Sequence, residues 1–369
     1  MRILVVSTAV GPIGQGRGGG VEVTVGSLVR GLVDRGHQLM VLAPEGSEPC
    51  GCPLRTVAGQ LQPPWQQQSR DAPIVQPPHG VLANLWREAW ALQAGHHVVL
   101  NLGYDWLPLW LGPCFTTPVL HLISMGSLSQ AMDQAVADVA RTHHGRLAFH
   151  SRSQMESFGI RHGVVVGNGF DLNTYRFVQE PEPLLGWVGR IAPEKGLGDA
   201  AAAAAALHRP LAVWGRVEDP AYKARVVADH PTCDFRWQGF LPPLQLRQEL
   251  GRCAVLLMTP RWQEAFGNGV VEAMACGVPV VAYRRGGPQE TVDHGLTGFL
   301  VEPGRVAELA AMVEKAYRLD RHRIRRRCQE RFAVTPFAQR LEDWILAALR
   351  QDSAKGAAGN GNLAKGPHL

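Results

Sequence analysis

Two doubly wound α/β domains in succession are the fold this sequence predicts. The first observation is Ile3-Leu4-Val5-Val6-Ser7, an apolar, β-branched run without alternation. Such a run suits a parallel strand covered on both faces. The second is the steady exchange of such runs with helical stretches along most of the chain. The third is Pro181–Pro183, a break after which the alternation starts again at Leu184. A length of 369 residues accommodates two or three domains, and 46% apolar content fills large cores. The expected domains are 1–180 and 181–334, followed by a helix over 335–350. A Gly/Ala/Lys-rich tail, 351–369, is expected to be disordered.

The first strand leads into Gly11 to Gly20, where six of ten residues are glycine. A helix over Val21–Arg35 and a strand over His37–Ala43 complete one βαβ unit. Its glycine loop lies at the carboxyl end of the strand, where doubly wound sheets bind ligands. Glycines there let backbone approach a phosphate or a sugar. The spacing is not the dinucleotide fingerprint, and Glu45 is the lone acidic residue near the expected place. Gly46 to Gly80 is rich in Pro and Gln and reads as a functional or disordered loop. Asn84–Ala94 reads as helix, and Val98–Leu102 and Val119–Ile123 as strands, with His121 placed at the end of the latter. Leu147–His150 is a strand, Ser151–Phe158 a short helix, and Val164–Val166 the last strand of the domain.

The second domain opens on the strand Leu184–Gly189. Asp199–His208 follows as a helix with seven consecutive alanines, which is helix propensity and not a linker. Leu211–Trp214, Phe235–Trp237, Ala254–Met258, Val278–Tyr283 and Gly298–Val301 read as strands with helices between them. Thr335–Leu349 is a last amphipathic helix.

Composition excludes several classes. The net charge of +5 is mild, and no mixture of aromatic and basic residues points to nucleic acid. Arg318 to Arg327 holds six arginines. That run is either a solvated helix face or a surface for anionic lipid or a phosphorylated partner. Seven cysteines at scattered spacing argue against a disulfide framework and for a reducing, cytoplasmic setting. Cys50-Gly51-Cys52 lacks partners at zinc spacing and reads as loop. Arg2–Val6 reads as strand and not as signal peptide. No apolar run approaches the ~18–20 residues that span a bilayer.

The most informative stretch is W-Q-E-A-F-G-N-G-V-V-E-A-M-A-C-G-V-P-V-V-A-Y-R-R-G-G-P-Q-E, Trp262 to Glu290. Glu264 and Glu272 are separated by seven residues, with Gly267 and Gly269 between them. Val270–Ala275 reads as helix, so Glu264 precedes it and Glu272 lies inside it. A glycine-rich helix start presents backbone N–H groups and a positive dipole end, which suit a phosphate. One ligand can lay phosphates there and bring hydroxyl groups to both carboxylates.

This stretch resembles the E-x7-E signature of the retaining family 4 glycosyltransferases. Further segments match that family in order: Gly189-Arg190 with Glu194-Lys195-Gly196, Asn168-Gly169-Phe170-Asp171, and the glycines Gly18, Gly19 and Gly20. The resemblance implies the GT-B fold, two Rossmann-like domains facing a cleft, with the final helix crossing back to the first. It implies that Glu272 holds ribose hydroxyls and that Glu264 meets the donor sugar. It also implies that the backbone of Phe266, Gly267 and Asn268 holds sugar or diphosphate, and that Gly239 lies beside the base. His121 matches a position facing donor or acceptor. No D-x-D pair is present, so no metal or cofactor is expected. Arg190 and Lys195 would neutralise the leaving diphosphate directly, unless they simply pair with Glu194 at the surface. The implied chemistry is front-face attack, with the leaving phosphate taking the proton of the incoming hydroxyl. Met258-Thr259-Pro260-Arg261-Trp262 departs from the Pro-Ser that family members often carry.

Residues 7 to 22 are similar to enzymes described as UDP-glucose:tetrahydrobiopterin glucosyltransferases. The resemblance therefore implies UDP-glucose as co-substrate and a small soluble acceptor, a pterin first. A sugar, a glycerate-type acid or a lipid as acceptor stays open. So do an epimerase or phosphorylase on the same fold and a sugar-nucleotide-binding protein without transferase activity. Trp86 and Trp90 share a helix face and read as core. Trp65 and Trp106 are the candidates to stack on a planar acceptor. The sequence sets no oligomeric state.

Overall fold

The structure is a computed structural model that describes residues 1–14 and 20–352 and the backbone of the final helix to Asn362. The chain divides into two compact units. One holds Met1–His150, Met155–Val166 and the chain from Phe337 onward, the other Ser151–Gln154 and Gly167–Pro336.

In the first unit, seven strands form one sheet: β1 (Arg2–Val6), β2 (Gln38–Pro44), β3 (Leu54–Val57), β4 (Val98–Asn101), β5 (Val119–Ile123), β6 (Leu147–Phe149) and β7 (Val164–Val165). All pair in parallel, in the order β3-β2-β1-β4-β5-β6-β7. The non-alternating β1 is explained by its two covered faces. Ile3 and Val5 join a core with Leu28 and Leu32 of the helix Gly20–Asp34, and Leu4 and Val6 join another with Leu85 and Trp86 of the helix Val81–Leu92. β3, a half-exposed edge strand, lies inside the segment expected to be loop. Neighbouring charged and polar residues hid its short pattern.

The final helix, Val334–Asn362, lays Phe337, Leu341, Trp344, Ile345 and Ala348 on the Ile3/Val5 face. Those spacings trace one stripe of a helix. Glu342 fixes it by accepting from Arg35 and from His37 Nε2 at 2.8 Å. The helix runs on through residues 351–362, where disorder was expected. Residues 363–369 lie outside the described ones.

The second unit is a parallel sheet of β8 (Leu185–Val188), β9 (Leu211–Trp214), β10 (Phe235–Gly239), β11 (Val255–Met258), β12 (Val280–Tyr283) and β13 (Gly298–Val301). Its order is β10-β9-β8-β11-β12-β13. The alanine run is the core face of the helix Leu197–Ala206. Ala200, Ala201, Ala203 and Ala204 are fully buried against Leu185, Trp187 and Val213. Both sheets therefore reverse strand order once, between β1 and β4 and between β8 and β11. Doubly wound sheets bind ligands at the carboxyl ends of strands at such points.

The arginine run is not uniform: Arg327 is half-buried and pairs with Asp293 and Glu330. Arg318, Arg323 and Arg326 are exposed, as a solvated face requires. Arg321 is buried and donates to the carbonyls of Val178 (2.7 Å), Cys253 (3.0 Å) and Gly251 (2.9 Å). Arg325 donates to the carbonyls of Tyr175 (3.1 Å) and Ala275 (2.7 Å). For these two, neither expected reading holds: a guanidinium with five donors in a fixed fork ties chain segments together. No helix among the described residues is long and apolar enough to cross a membrane.

Arg321→Ala is expected to leave three carbonyls without donors and to cost about 3 kcal/mol, read as a lower urea midpoint. Arg323→Ala, on the exposed side, should change it by less than about 0.5 kcal/mol.

Candidate active site

β8 and β11 are neighbours, so the loops that leave their carboxyl ends meet. The first runs from Gly189 through Arg190 to Lys195 and ends at Gly196, whose φ of +69° is left-handed. The second begins at Thr259. A Cβ on Gly196 would lie 1.9 Å from the Thr259 carbonyl oxygen. No other residue fits there. The contact is closed by Thr259 Oγ1 donating to the Gly196 carbonyl (2.8 Å) and Arg261 N donating to the Glu194 carbonyl (2.8 Å).

That lock sets Lys195 against Glu264. Lys195 Nζ is 2.6 Å from Glu264 Oε2, and the Trp262 indole N–H donates to the same oxygen at 2.8 Å. Lys195 also stands 4.4 Å from the centre of the Trp262 ring, and Arg190 5.7 Å. Burial pushes the Glu264 pKa up, but Lys195, Trp262 and Arg190 together outweigh it and hold the group below its ordinary value. Glu264 is thus ionised, suited to orienting hydroxyls or balancing positive charge and not to delivering a proton. Arg190 pairs with Glu194 (2.7 Å) and with Glu218, so it is held by carboxylates on both sides. The expected pairing with Glu194 is present for Arg190. Lys195 instead takes Glu264.

The loop Glu264–Phe266 is threaded past Gly286 and Gly287. A Cβ on Gly286 would come within 2.5 Å of the Glu264 nitrogen, and one on Gly287 within 2.3 Å of the Phe266 Cα. Gly287 N donates to the Glu264 carbonyl at 2.7 Å. The Gly286-Gly287 pair was visible in the sequence but assigned no role. Its signal was the doubled glycine just after a strand. Phe266 is buried and stacks on Phe170 at 6.4 Å. Gly267 adopts φ +84° as the cap of the helix Asn268–Ala275, which starts two residues earlier than expected. Asn168 Nδ2 donates to Asn268 Oδ1 at 3.1 Å, joining the Asn168-Gly169-Phe170-Asp171 segment to this helix start.

Glu272 sits inside that helix. Tyr175 donates to its Oε1 at 3.4 Å. Burial raises its pKa, and Arg247 and Tyr175 offset only part of the rise. Arg247 stands 4.9 Å from the centre of the Tyr175 ring and donates to Thr174 Oγ1 at 3.0 Å. Sequence reasoning missed Arg247 and Tyr175, because nothing in either local pattern singles them out. Arg325, donating to the Ala275 carbonyl, holds the far end of the same helix. Gly239 ends β10 with φ +69°, at a register shift and with open space where a side chain would stand.

The remaining candidates belong to the first unit. Gly18 and Gly19 lie outside the described residues, and Gly20 is the exposed first residue of its helix. His121 is the middle residue of β5, not its end, and is 2% exposed. Its Nδ1 lies 3.2 Å from Asn101 Nδ2, and burial pushes its pKa down to about 3, so the ring is neutral. Trp65 is buried, edge-on to Tyr104 at 6.3 Å, and Trp106 stacks on Trp110 at 5.6 Å. Trp65 is therefore a core residue and offers no free face for stacking. Asp105, which sequence reasoning did not single out, is buried beside both tryptophans.

The fold is GT-B. Over 94% of this chain it superposes on the whole of Anabaena Alr3699/HepE, solved in complex with UDP and glucose, with a TM-score of 0.73 and 20% identity. Residues 175–331 match the family Glycosyl transferases group 1, and they contain every donor-side candidate described above. A 2-deoxystreptamine glucosyltransferase of Streptomyces kanamyceticus is 38% identical over 143 residues, 37% of each chain. A 2-deoxystreptamine N-acetyl-D-glucosaminyltransferase of Streptomyces fradiae is 32% identical over 201 residues, 52% of this chain and 44% of that one. The matched parts span less than half the length of these curated relatives.

A carboxyl whose folded pKa is raised stabilises the fold while protonated, and that contribution is lost as pH rises through the raised value. Glu272→Gln is therefore expected to raise the thermal midpoint near neutral pH. The gain should vanish toward about pH 3, where the wild-type group is protonated in both states. Thermal scans across that range check it.

Proposed function

We propose that this protein is a retaining glycosyltransferase that moves glucose from UDP-glucose to a hydroxyl of a small soluble acceptor. The observation that carries it is the convergence of Lys195, Arg190 and Glu264 at the β8/β11 switch point, close to the helix that carries Glu272. Two cations beside a helix N-terminus suit a diphosphate, and two carboxylates suit the hydroxyls on either side of it. The family matched by residues 175–331 supports this reading.

On it, Glu272 takes the ribose hydroxyls and Glu264 the sugar hydroxyls. The backbone of Phe266, Gly267 and Asn268 faces sugar or diphosphate, and Gly239 makes room beside the base. The diphosphate draws Arg190 and Lys195 from the carboxylates that hold them in the free protein. The bond from the sugar anomeric carbon to phosphate breaks, and the acceptor oxygen bonds to the same face of that carbon. The leaving phosphate oxygen takes the acceptor proton. Both cations then meet charge that grows as the bond breaks. They do so directly, so no metal ion is required. His121, enclosed in β5, shapes the acceptor side through Asn101. The acceptor is a small nitrogen-bearing molecule. Tetrahydrobiopterin is suggested by residues 7 to 22, and an aminocyclitol by the acceptor named for the Streptomyces relatives.

Incubation with UDP-glucose and a panel of acceptors tests the reading. A glycoside of retained configuration is expected. A new sugar nucleotide would indicate an epimerase, and UDP-glucose binding without any product a binding protein. Activity is expected to survive excess EDTA; loss of turnover that magnesium or manganese restores would overturn the direct role of the cations.

The two glutamates should separate by calorimetry. Glu272→Ala is expected to weaken free UDP by about tenfold or more, as loss of charged hydrogen bonds does. Glu264→Ala should leave free UDP affinity near wild type and lower transfer by about 10²–10³-fold. Equal effects of the two changes on UDP would show the roles to be misassigned.

A further inference from the structure

One buried carboxylate in the first unit is left unsatisfied. Asp105 follows β4 at the β1/β4 switch point and is 4% exposed. One side of the carboxylate takes a hydrogen bond from Trp65, while Oδ2 has no partner among the described residues. Asp105 occupies the cap position of the helix Trp106–Leu111, yet its side chain bonds no backbone N–H there. Burial pushes its pKa up to about 7. A buried acceptor without a donor costs free energy, and more so when charged. The group therefore favours any ligand that brings a donor, most of all a cationic one.

Asp105 lines a cavity of about 20 Å³ with Gln62, Trp65, Gln76 and Trp106. Gln62 donates to Gln76 Oε1 at 3.2 Å, and its backbone N–H donates to the Ala9 carbonyl, just beyond β1. Val75, also lining the cavity, is 63% exposed. About 10–15 Å³ of such space holds one water. A primary ammonium group is of that size, and a fused ring is not. The cavity size and the unpaired oxygen thus select the same chemistry: a small cationic N–H donor on a molecule whose ring stays outside. Trp65 and Trp106 line the same cavity on either side of Asp105 in the chain.

We propose that Asp105 binds the ammonium group of an amine-bearing acceptor, in the pocket between Trp65 and Trp106. Calling that ligand an acceptor rests on the glycosyltransferase reading above; its binding does not.

Calorimetry on the full chain tests this with 2-deoxystreptamine, its N,N′-diacetyl derivative and tetrahydrobiopterin. The diamine is expected to bind wild-type protein at least tenfold more tightly than the diacetyl form, which keeps the ring and loses the charge. Asp105→Asn should weaken the diamine by about tenfold to a hundredfold, the usual worth of a hydrogen bond to a charged group, with unchanged UDP affinity and a thermal midpoint no lower than that of the wild type. The comparison of the two ligands on wild-type protein needs no variant to fold. Equal affinity for diamine and diacetyl form, diamine binding unchanged in Asp105→Asn, or no diamine binding would each overturn the proposal. So would binding of the pterin alone. Diamine binding with no glycoside formed from UDP-glucose would keep the pocket and defeat the transferase reading; glycosylation of neutral acceptors with no preference for amines would do the reverse.

Discussion

The close approach of Gly196 to the Thr259 carbonyl is the constraint on which the donor-side candidates depend. It needs a residue without a Cβ and with a left-handed backbone, and it is stapled by the Thr259 hydroxyl. With the two loops locked, Lys195 is brought to Glu264 although the residues are 69 positions apart. A side chain at position 196 would separate the loops and take the ion pair with them. Gly286 and Gly287 repeat the device on the other side of Glu264, where backbone passes backbone. Glycine at these places is a requirement of distance as much as of dihedral angle.

Charge in the second unit is balanced locally. Lys195 answers Glu264, and Arg190 answers Glu194 and Glu218. Such partly enclosed pairs are screened less than surface pairs. An anionic ligand that meets these cations replaces one set of negative oxygens by another. That exchange avoids leaving a cation unpaired at any stage. Glu272 differs: burial dominates its surroundings, and Arg247 offsets only part of it. Two carboxylates eight positions apart in the chain thus have opposite shifts, one set by paired cations and the other by desolvation.

The helix that carries Glu272 is held at both ends by groups remote in sequence. Asn168 meets Asn268 at its start, and Arg325 takes the Ala275 carbonyl at its finish. Arg321 ties Val178, Gly251 and Cys253 in the same manner. Arginines that looked like one charged surface therefore act in part as internal struts, each satisfying carbonyls that loops would otherwise leave bare. In the first unit Oδ2 of Asp105 is among the buried polar atoms left without a partner among the described residues.

The sequence by itself determined most element types and the GT-B architecture. Periodicity, glycine position and helix propensity act over a few residues, and those are what it displays. It also placed Glu264 and Glu272 on a loop and a helix, because their separation spans a single local motif. Only the tertiary structure decided which cation meets which carboxylate, since β8 and β11 become neighbours by sheet order and not by chain order. It moved His121 into the middle of a covered strand and Trp65 into a core, because burial depends on what packs from elsewhere. It brought Arg247 and Tyr175 to Glu272, and Trp65 to Asp105, contacts with no local signature. Helix Arg321–Phe332 makes the division plain: its arginines are alike in sequence, and only the carbonyls that meet Arg321, Arg325 and Arg331 separate strut from surface.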